Sequence, residues 1–302
     1  MVWRMRFRLN VKQMLLRLAF LIIERNSASL ARRYPRMVLF SFDYIGSYIN
    51  AYGRYENASL EVLRELLVRE GITSTALDVG ANIGNHTVFF AEFFERVVAL
   101  EPNPATYAVL QLNTQALPNV TCLRLGASSA PATLRLRVNA RNMGDSRVVC
   151  ASAVMADGED ASIAIDVVPL DSIEGIQGSR IGLIKLDVQG HELDVIRGLS
   201  DTLQQQAPLI AFEQEAVEIV DGTSPTLEEI RRAGYAYLYA VEHRPSVLSP
   251  TIPGILRIPL ELLEIVMRGD GRQRASIRAV DVLEHRQYRM LLAAKRPIHL
   301  TR

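Results

Sequence analysis

Thr75-Ala76-Leu77-Asp78-Val79-Gly80-Ala81-Asn82-Ile83-Gly84-Asn85-His86-Thr87-Val88-Phe89-Phe90 is the stretch whose reading decides the fold. Residues 75–79 are β-branched or apolar apart from Asp78 and suit a buried strand, while 85–94 carry a helical pattern. Between them lies a turn with Gly80 and Gly84. Glycine lets a backbone pass close to a ligand and adopt positive φ, and a helix start offers unpaired N–H groups at the positive end of a dipole. Strand, glycine turn and helix in that order open a doubly wound α/β sheet, whose ligands bind outside the carboxyl ends of the strands.

Working outward, short apolar runs alternate with helical patterns. Strands are expected at 97–100, 120–123, 133–138, 163–168, 181–186, 209–213, 235–240 and 288–295, and helices at 58–69, 105–115, 191–199 and 226–233. This alternation predicts an α/β fold with a mostly parallel sheet covered on both faces. Residues 1–52 read as an N-terminal helical extension and 53–302 as the sheet domain. A proline-containing insertion is expected near 242–284, with one helix at 260–267. The 302 residues are 49% hydrophobic and 22% charged, ordinary for a soluble globular enzyme. The net charge of +1 sets up no field for nucleic acid. Cys122 and Cys150 have no paired spacing, which argues against a disulfide framework or a Cys-rich zinc site and fits the cytoplasm.

The turn departs from the G-x-G-x-x-G of a dinucleotide site. It has an acidic residue two before its first glycine and Asn82 between its glycines. An acidic strand end suits a cofactor with a cationic sulfonium and an ammonium but no phosphate, such as S-adenosylmethionine. Asp78 is expected to accept from the ammonium directly or through water, and Asn82 to orient the turn. Glu101 closes the next strand, in Val98-Ala99-Leu100-Glu101-Pro102-Asn103, where a carboxylate can accept both ribose hydroxyls of a nucleoside. Topology puts Ala127 and Ser128 near the adenine. The expected cofactor set is therefore Asp78, Gly80, Asn82, Gly84, Glu101, Asn103, Ala127 and Ser128.

With Leu77 to Gly84, Ala99 to Pro104, and Leu183-Ile184-Lys185-Leu186-Asp187-Val188-Gln189-Gly190-His191-Glu192, the chain resembles the FkbM family of methyltransferases. That family lies within the class I, Rossmann-like methyltransferases. Val168-Pro169-Leu170-Asp171-Ser172 and Gly53-Arg54-Tyr55-Glu56 add to the likeness, which covers residues 53–215. The resemblance implies a seven-stranded sheet, S-adenosylmethionine as cofactor, and methyl transfer to a hydroxyl oxygen of a small molecule or sugar. It leaves the acceptor open.

Transfer from a sulfonium is an in-line displacement, helped by alignment and, for a hydroxyl acceptor, by a base. The strand-end rule aims Asp187 at the methyl group, although it can also cap the helix that follows. His191 titrates near neutrality and opens that helix; Glu213 ends another strand, with Glu215 as its surface neighbour. Asp187, His191 and Glu213 are the expected catalytic residues. Glu192, Asn142 and Ser146 are the expected acceptor contacts. Glu192 has the alternative of a dipole partner, and the polar loop 139–146 that of a plain solvent loop. His86 reads as a local polar group, and no ligand spacing points to a metal.

Two rival functions remain: an NAD-dependent oxidoreductase, which predicts the absent G-x-G-x-x-G, and a non-catalytic binding module on the same fold. At the N-terminus, Arg4, Arg6, Arg8 and Lys12 precede an apolar run at 14–23, split by Arg17. The run is about half the ~20 residues of a spanning helix. Val11, Met14, Leu15, Leu18 and Ile22 fall at helical spacing. The segment reads as an amphipathic helix packing on the body, as peripheral membrane contact through residues 11–23, or as an export signal, which would strand the enzyme from its cofactor.

Overall fold

The computed structural model describes residues 11–139, 146–149, 161–243 and 275–300. Asn142, Cys150, and most of the expected insertion with its helix at 260–267 lie outside them. The chain divides into two compact units, Met1–Tyr55 and Glu56–Arg302.

In the first unit, α1 (Val11–Leu30) and α2 (Tyr44–Tyr52) are joined by an Asn26 Nδ2 bond to the Ala51 carbonyl at 3.2 Å. Asp43 caps α2, accepting from the Gly46 N–H at 3.1 Å. No residue of α1 is buried, and Met14, Leu15, Leu18 and Ile22 are all exposed. Among the described residues no helix is long and apolar enough to cross a membrane.

The second unit opens with α3 (Asn57–Arg69) and then winds β1 (Thr75–Val79), α4 (Asn85–Phe90), β2 (Arg96–Leu100), α5 (Pro104–Thr114) and β3 (Val120–Leu123). A small sheet follows, from β4 (Gly126–Ala127), β5 (Ala132–Val138), β6 (Arg147–Val149) and β7 (Ala161–Val168). The main sheet resumes with β8 (Ile181–Leu186), α6 (Glu192–Arg197), α7 (Ser200–Gln206), β9 (Leu209–Gln214), α8 (Pro225–Arg232), β10 (Tyr237–His243), β11 (Ala275–Ala279) and β12 (Tyr288–Ala294).

The main sheet has eight strands in the order β11-β10-β12-β9-β8-β1-β2-β3. From β9 to β3 all neighbours run parallel, whereas β12 is antiparallel to both β9 and β10. The order turns back between β1 and β8, and such a switch point opens a crevice at the strand ends. The expected α/β, mostly parallel, doubly wound sheet is present with two differences. Ala275–Ala279, expected inside the insertion, pairs along β10 as an extra edge strand. The strands around 133–138 and 163–168 form a second, four-stranded sheet.

Alternation along β1 builds two cores. Leu77 and Val79 face a cluster that includes Val195, Leu203 and Ile230 of α6, α7 and α8. Ala76 faces Leu60, Leu63 and Leu67 of α3 with Phe89 and Phe90 of α4. Spacing of three and four residues puts those leucines on one helical stripe. Each is fully buried, worth roughly 1.5–3 kcal/mol per side chain.

Candidate active site

The glycine turn crosses the switch point. Gly80 and Asn82 both have positive φ, +78° and +50°. The Gly80 and Ala81 N–H groups donate to the Leu100 carbonyl at 3.0 and 2.9 Å, tying the turn to β2. Glu101 completes the tie: its Oε2 accepts from the Asn82 N–H at 3.0 Å and its Oε1 from the Asn103 N–H at 2.9 Å. Burial pushes the Glu101 carboxyl up to about 7, against the pull of those two N–H groups and Lys185. Each oxygen keeps a lone pair for a further donor.

Between this turn and the small sheet lies an open cleft. One wall is apolar: Leu100, Leu125, Leu136, Val148, Ile165 and Val167. Asn82, Glu101, Ser146, Asp187, Gln189 and His191 bring polar groups to it.

Under the turn sits a buried ion pair. Asp78 and Lys185 are register partners on β1 and β8, so their side chains share a face. Asp78 is fully buried; its Oδ1 lies 3.2 Å from Lys185 Nζ, and its Oδ2 accepts from Thr87 Oγ1 at 2.6 Å. Lys185 Nζ also lies 3.4 Å from Asp187 Oδ2 and donates to the Gly80 carbonyl at 3.3 Å. Burial works against that ammonium, yet Asp78 and Asp187 hold it protonated above the ordinary lysine range.

Beyond β8 two carboxylates meet. Gln189 Nε2 donates to Asp187 Oδ1 at 2.8 Å and to Glu213 Oε2 at 3.1 Å. Gln287 Nε2 donates to Glu213 Oε1 at 2.6 Å. Gln189 does this from a left-handed backbone, φ +51°. The two acids are driven apart. Burial and the Asp187 charge push Glu213 up to about 7. Burial opposes the Asp187 charge, but Lys185 and Gln189 hold that carboxyl below its ordinary value. Such divergence marks groups suited to different roles in proton transfer.

Further out, Glu56 Oε2 lies 3.4 Å from His86 Nε2, both side chains nearly buried. Arg147 of β6 grips Glu215 through two bonds, at 2.6 and 3.3 Å. Among the described residues no cluster of three or more His, Cys, Asp or Glu is arranged to hold a metal.

The FkbM methyltransferase domain matches residues 78–237, more than half of the chain. The chain belongs to that family. It is 29% identical over 167 residues to the hexuronic acid methyltransferase AglP of Haloferax volcanii, covering 55% of this chain and 64% of that protein. It is 30% identical over 156 residues to methyltransferase sdnD of Sordaria araneosa, covering 41% of this chain and 60% of that one. The matches thus span less than two thirds of either relative. The FkbM methyltransferase structure from Methylobacillus flagellatus KT is 19% identical, with a TM-score of 0.39, over 74% of this chain and 56% of that one.

Within this FkbM domain the structure sorts the expected residues. Gly80, Asn82, Glu101, Ala127, Ser146, Asp187 and His191 line the cleft. Asp78 does not: it is fully buried beneath the turn, with Oδ2 accepting from Thr87 and Oδ1 paired with the Lys185 ammonium. Gly84, at φ +89°, packs its Cα against Leu110, and Asn103 caps α5 through the Ala105 N–H at 3.0 Å. Ser128 shares a 3.0 Å hydrogen bond with His191 Nε2. His191 therefore sits on the Ser128 side of the cleft, and burial lowers its pKa despite Asp194. Glu192 turns inward, accepting from the Val188 and Gly190 N–H groups of the Asp187 loop at 3.2 and 3.0 Å. Glu215, read as a surface neighbour, is the partner of Arg147.

Lys185, Gln189 and Gln287 carry geometry that the sequence reading assigned to no role. A lysine inside a strand of otherwise apolar residues, Ile181–Leu186, is the signal that marks Lys185. Gln189-Gly190 at a strand end marks a left-handed turn.

Proposed function

We propose that this chain is an S-adenosylmethionine-dependent O-methyltransferase whose acceptor is a hydroxyl on a small molecule or sugar. The observation that carries the reading is the Glu101 carboxylate, fixed by Asn82 and Asn103 N–H groups beside the Gly80 turn, with Asp187 lining the same cleft. The fit to the cofactor is local. The Asn82 Oδ1 is buried without a partner, and Glu101 faces the cleft with lone pairs to spare for a ribose diol.

When bound, S-adenosylmethionine supplies an electrophilic methyl carbon on a cationic sulfonium. The chain's own residues supply the rest. Leu100, Pro102, Leu125 and Ala127 offer an apolar wall for an aromatic base. Asp187, held ionised by Lys185, places negative charge at the end of the cleft that receives the cation. Glu213, near neutrality and linked to Asp187 through Gln189, takes the proton of an acceptor hydroxyl. The name of the Haloferax relative, a hexuronic acid methyltransferase, supports a carbohydrate acceptor. We place the enzyme in the cytoplasm, with no nucleic-acid partner. The exposed apolar side chains of α1, flanked by Lys12, Arg17 and Arg25, are assigned to peripheral contact with an anionic membrane; failure to sediment with anionic vesicles would remove that contact.

Calorimetric titration with S-adenosylhomocysteine tests the central reading, alongside Glu101→Ala and a parallel titration with NAD. Saturable binding of S-adenosylhomocysteine, lost in Glu101→Ala, supports it. Binding of NAD alone moves the chain to the oxidoreductases. Silence with both ligands makes it a non-catalytic module.

A further inference from the structure

We infer that Lys185 is a positioning residue that locks the cofactor turn and the acceptor carboxylate to one point beneath the cleft. The inference rests on the methyltransferase reading and goes beyond it, because it says what sets the spacing of the two half-sites.

An ammonium has three protons in a near-tetrahedral arrangement. Lys185 Nζ has three oxygens around it: the Gly80 carbonyl at 3.3 Å, Asp78 Oδ1 at 3.2 Å and Asp187 Oδ2 at 3.4 Å. The first belongs to the turn that approaches the cofactor, the last to the loop that meets the acceptor. Asp78 anchors the lysine from β1, itself held by Thr87 of α4. The side chain is 7% exposed, so no water shell softens the arrangement. A role limited to neutralising Asp78 would need only one of these contacts. The bonds to Gly80 and Asp187 are what a device for alignment requires, since small misplacement of either reactant is costly.

The same contacts set the charge state of Asp187. The groups that act on it are Lys185 on β8, Gln189 on its own loop, Glu213 on β9, His86 on α4, Glu101 at the end of β2 and Glu192 on α6. Of the cations, Lys185 alone is bonded to it among the described residues.

The test uses the full chain without acceptor. Asp78→Asn, Lys185→Met and the double variant Asp78→Asn/Lys185→Met are compared with wild type. The double variant removes both buried charges together, which a fold tolerates far better than removing one, so it carries the test if Lys185→Met fails to fold. Carboxyl carbon NMR follows the Asp187 titration, assigned through Asp187→Asn, and calorimetry follows S-adenosylhomocysteine binding. In the double variant the Asp187 midpoint should rise by at least one pH unit and the affinity fall by at least tenfold. Asp78→Asn alone, which keeps the ammonium, should leave the midpoint near that of wild type. An unchanged midpoint or an unchanged affinity in the folded double variant overturns the inference. A wild type that binds no S-adenosylhomocysteine defeats the methyltransferase reading instead, and the Asp187 titration then judges Lys185 alone.

Discussion

A Cβ placed on Gly80 would sit 1.9 Å from the carbonyl oxygen of Asp187. The Asp187 N–H in turn donates to the Val79 carbonyl at 3.0 Å. The turn after β1 and the loop after β8 therefore meet backbone to backbone, with no side chain between them. The two loops form one continuous seam.

Gly80→Ala should break that seam. The residue lies at φ +78°, where a Cβ alone costs roughly 1–2 kcal/mol, and the obstacle is backbone, which cannot swing aside. Affinity for S-adenosylhomocysteine should drop at least tenfold and the melting temperature should fall. An alanine variant that binds and melts like wild type would show that the two loops separate freely.

Binding should also be linked to protons through Glu101. Its carboxyl titrates at about 7, and a ribose diol donates to the ionised form. Affinity for S-adenosylhomocysteine should therefore rise about tenfold from pH 6 to pH 8, with proton release on binding at pH 6. Calorimetry in buffers of different ionisation enthalpy reads that release, and Glu101→Gln should abolish it.

Glu213 gives a stability prediction that needs no ligand. Its carboxyl ordinarily titrates at 4.5 but stands at about 7 in the fold, through burial first and the Asp187 charge second. The folded state thus keeps the proton longer, and stability is lost as pH climbs through that window. Glu213→Gln removes the loss, so its melting temperature relative to wild type should improve between pH 4.5 and pH 8. Methyl transfer to a hydroxyl acceptor should fall by roughly 10²–10⁴ in the same variant. An equal transfer rate in wild type and variant would take Glu213 out of the reaction.

Gln189 pays for its double hydrogen bond with a left-handed backbone. Gln189→Gly relieves the backbone and deletes the amide; Gln189→Ala deletes the amide and keeps the strain. The glycine variant should be the more stable by about 1 kcal/mol, while both lose transfer rate to the same degree. Thermal melts paired with single-turnover rates check this, and a glycine variant of full activity would make the amide dispensable.

The parts legible in the sequence are those whose meaning is local. Gly80 and Glu101 announce themselves by type and by position at strand ends, and the alternation of runs is enough for the winding of the sheet. Lys185 was legible only as a letter in a motif. Its meaning depends on the register that sets it beside Asp78 across two strands far apart in the chain. The same distance hides the surroundings of Asp78, since nothing local shows that its carboxylate lies against Thr87 and Lys185. Glu192 shows another limit: a glutamate in a first helical turn looks alike whether it faces a ligand or reaches back to the loop before it. β11 was missed because Ala-Ser-Ile-Arg-Ala is short and half polar, as suits an edge strand with one neighbour.

The last strand in sequence, β12, lies between β9 and β10 in the sheet. A chain emerging from the ribosome can therefore complete everything from β3 to β9 while β9 still presents an open ladder of N–H and C=O groups. β10 can pair with β11 but has no link to the rest of the sheet until residues 288–294 arrive. During synthesis that gap is a waiting period in which another nascent chain can add to the exposed edge. Closure is a late event, made by a segment that contributes no group to the cleft but on which the finished sheet depends.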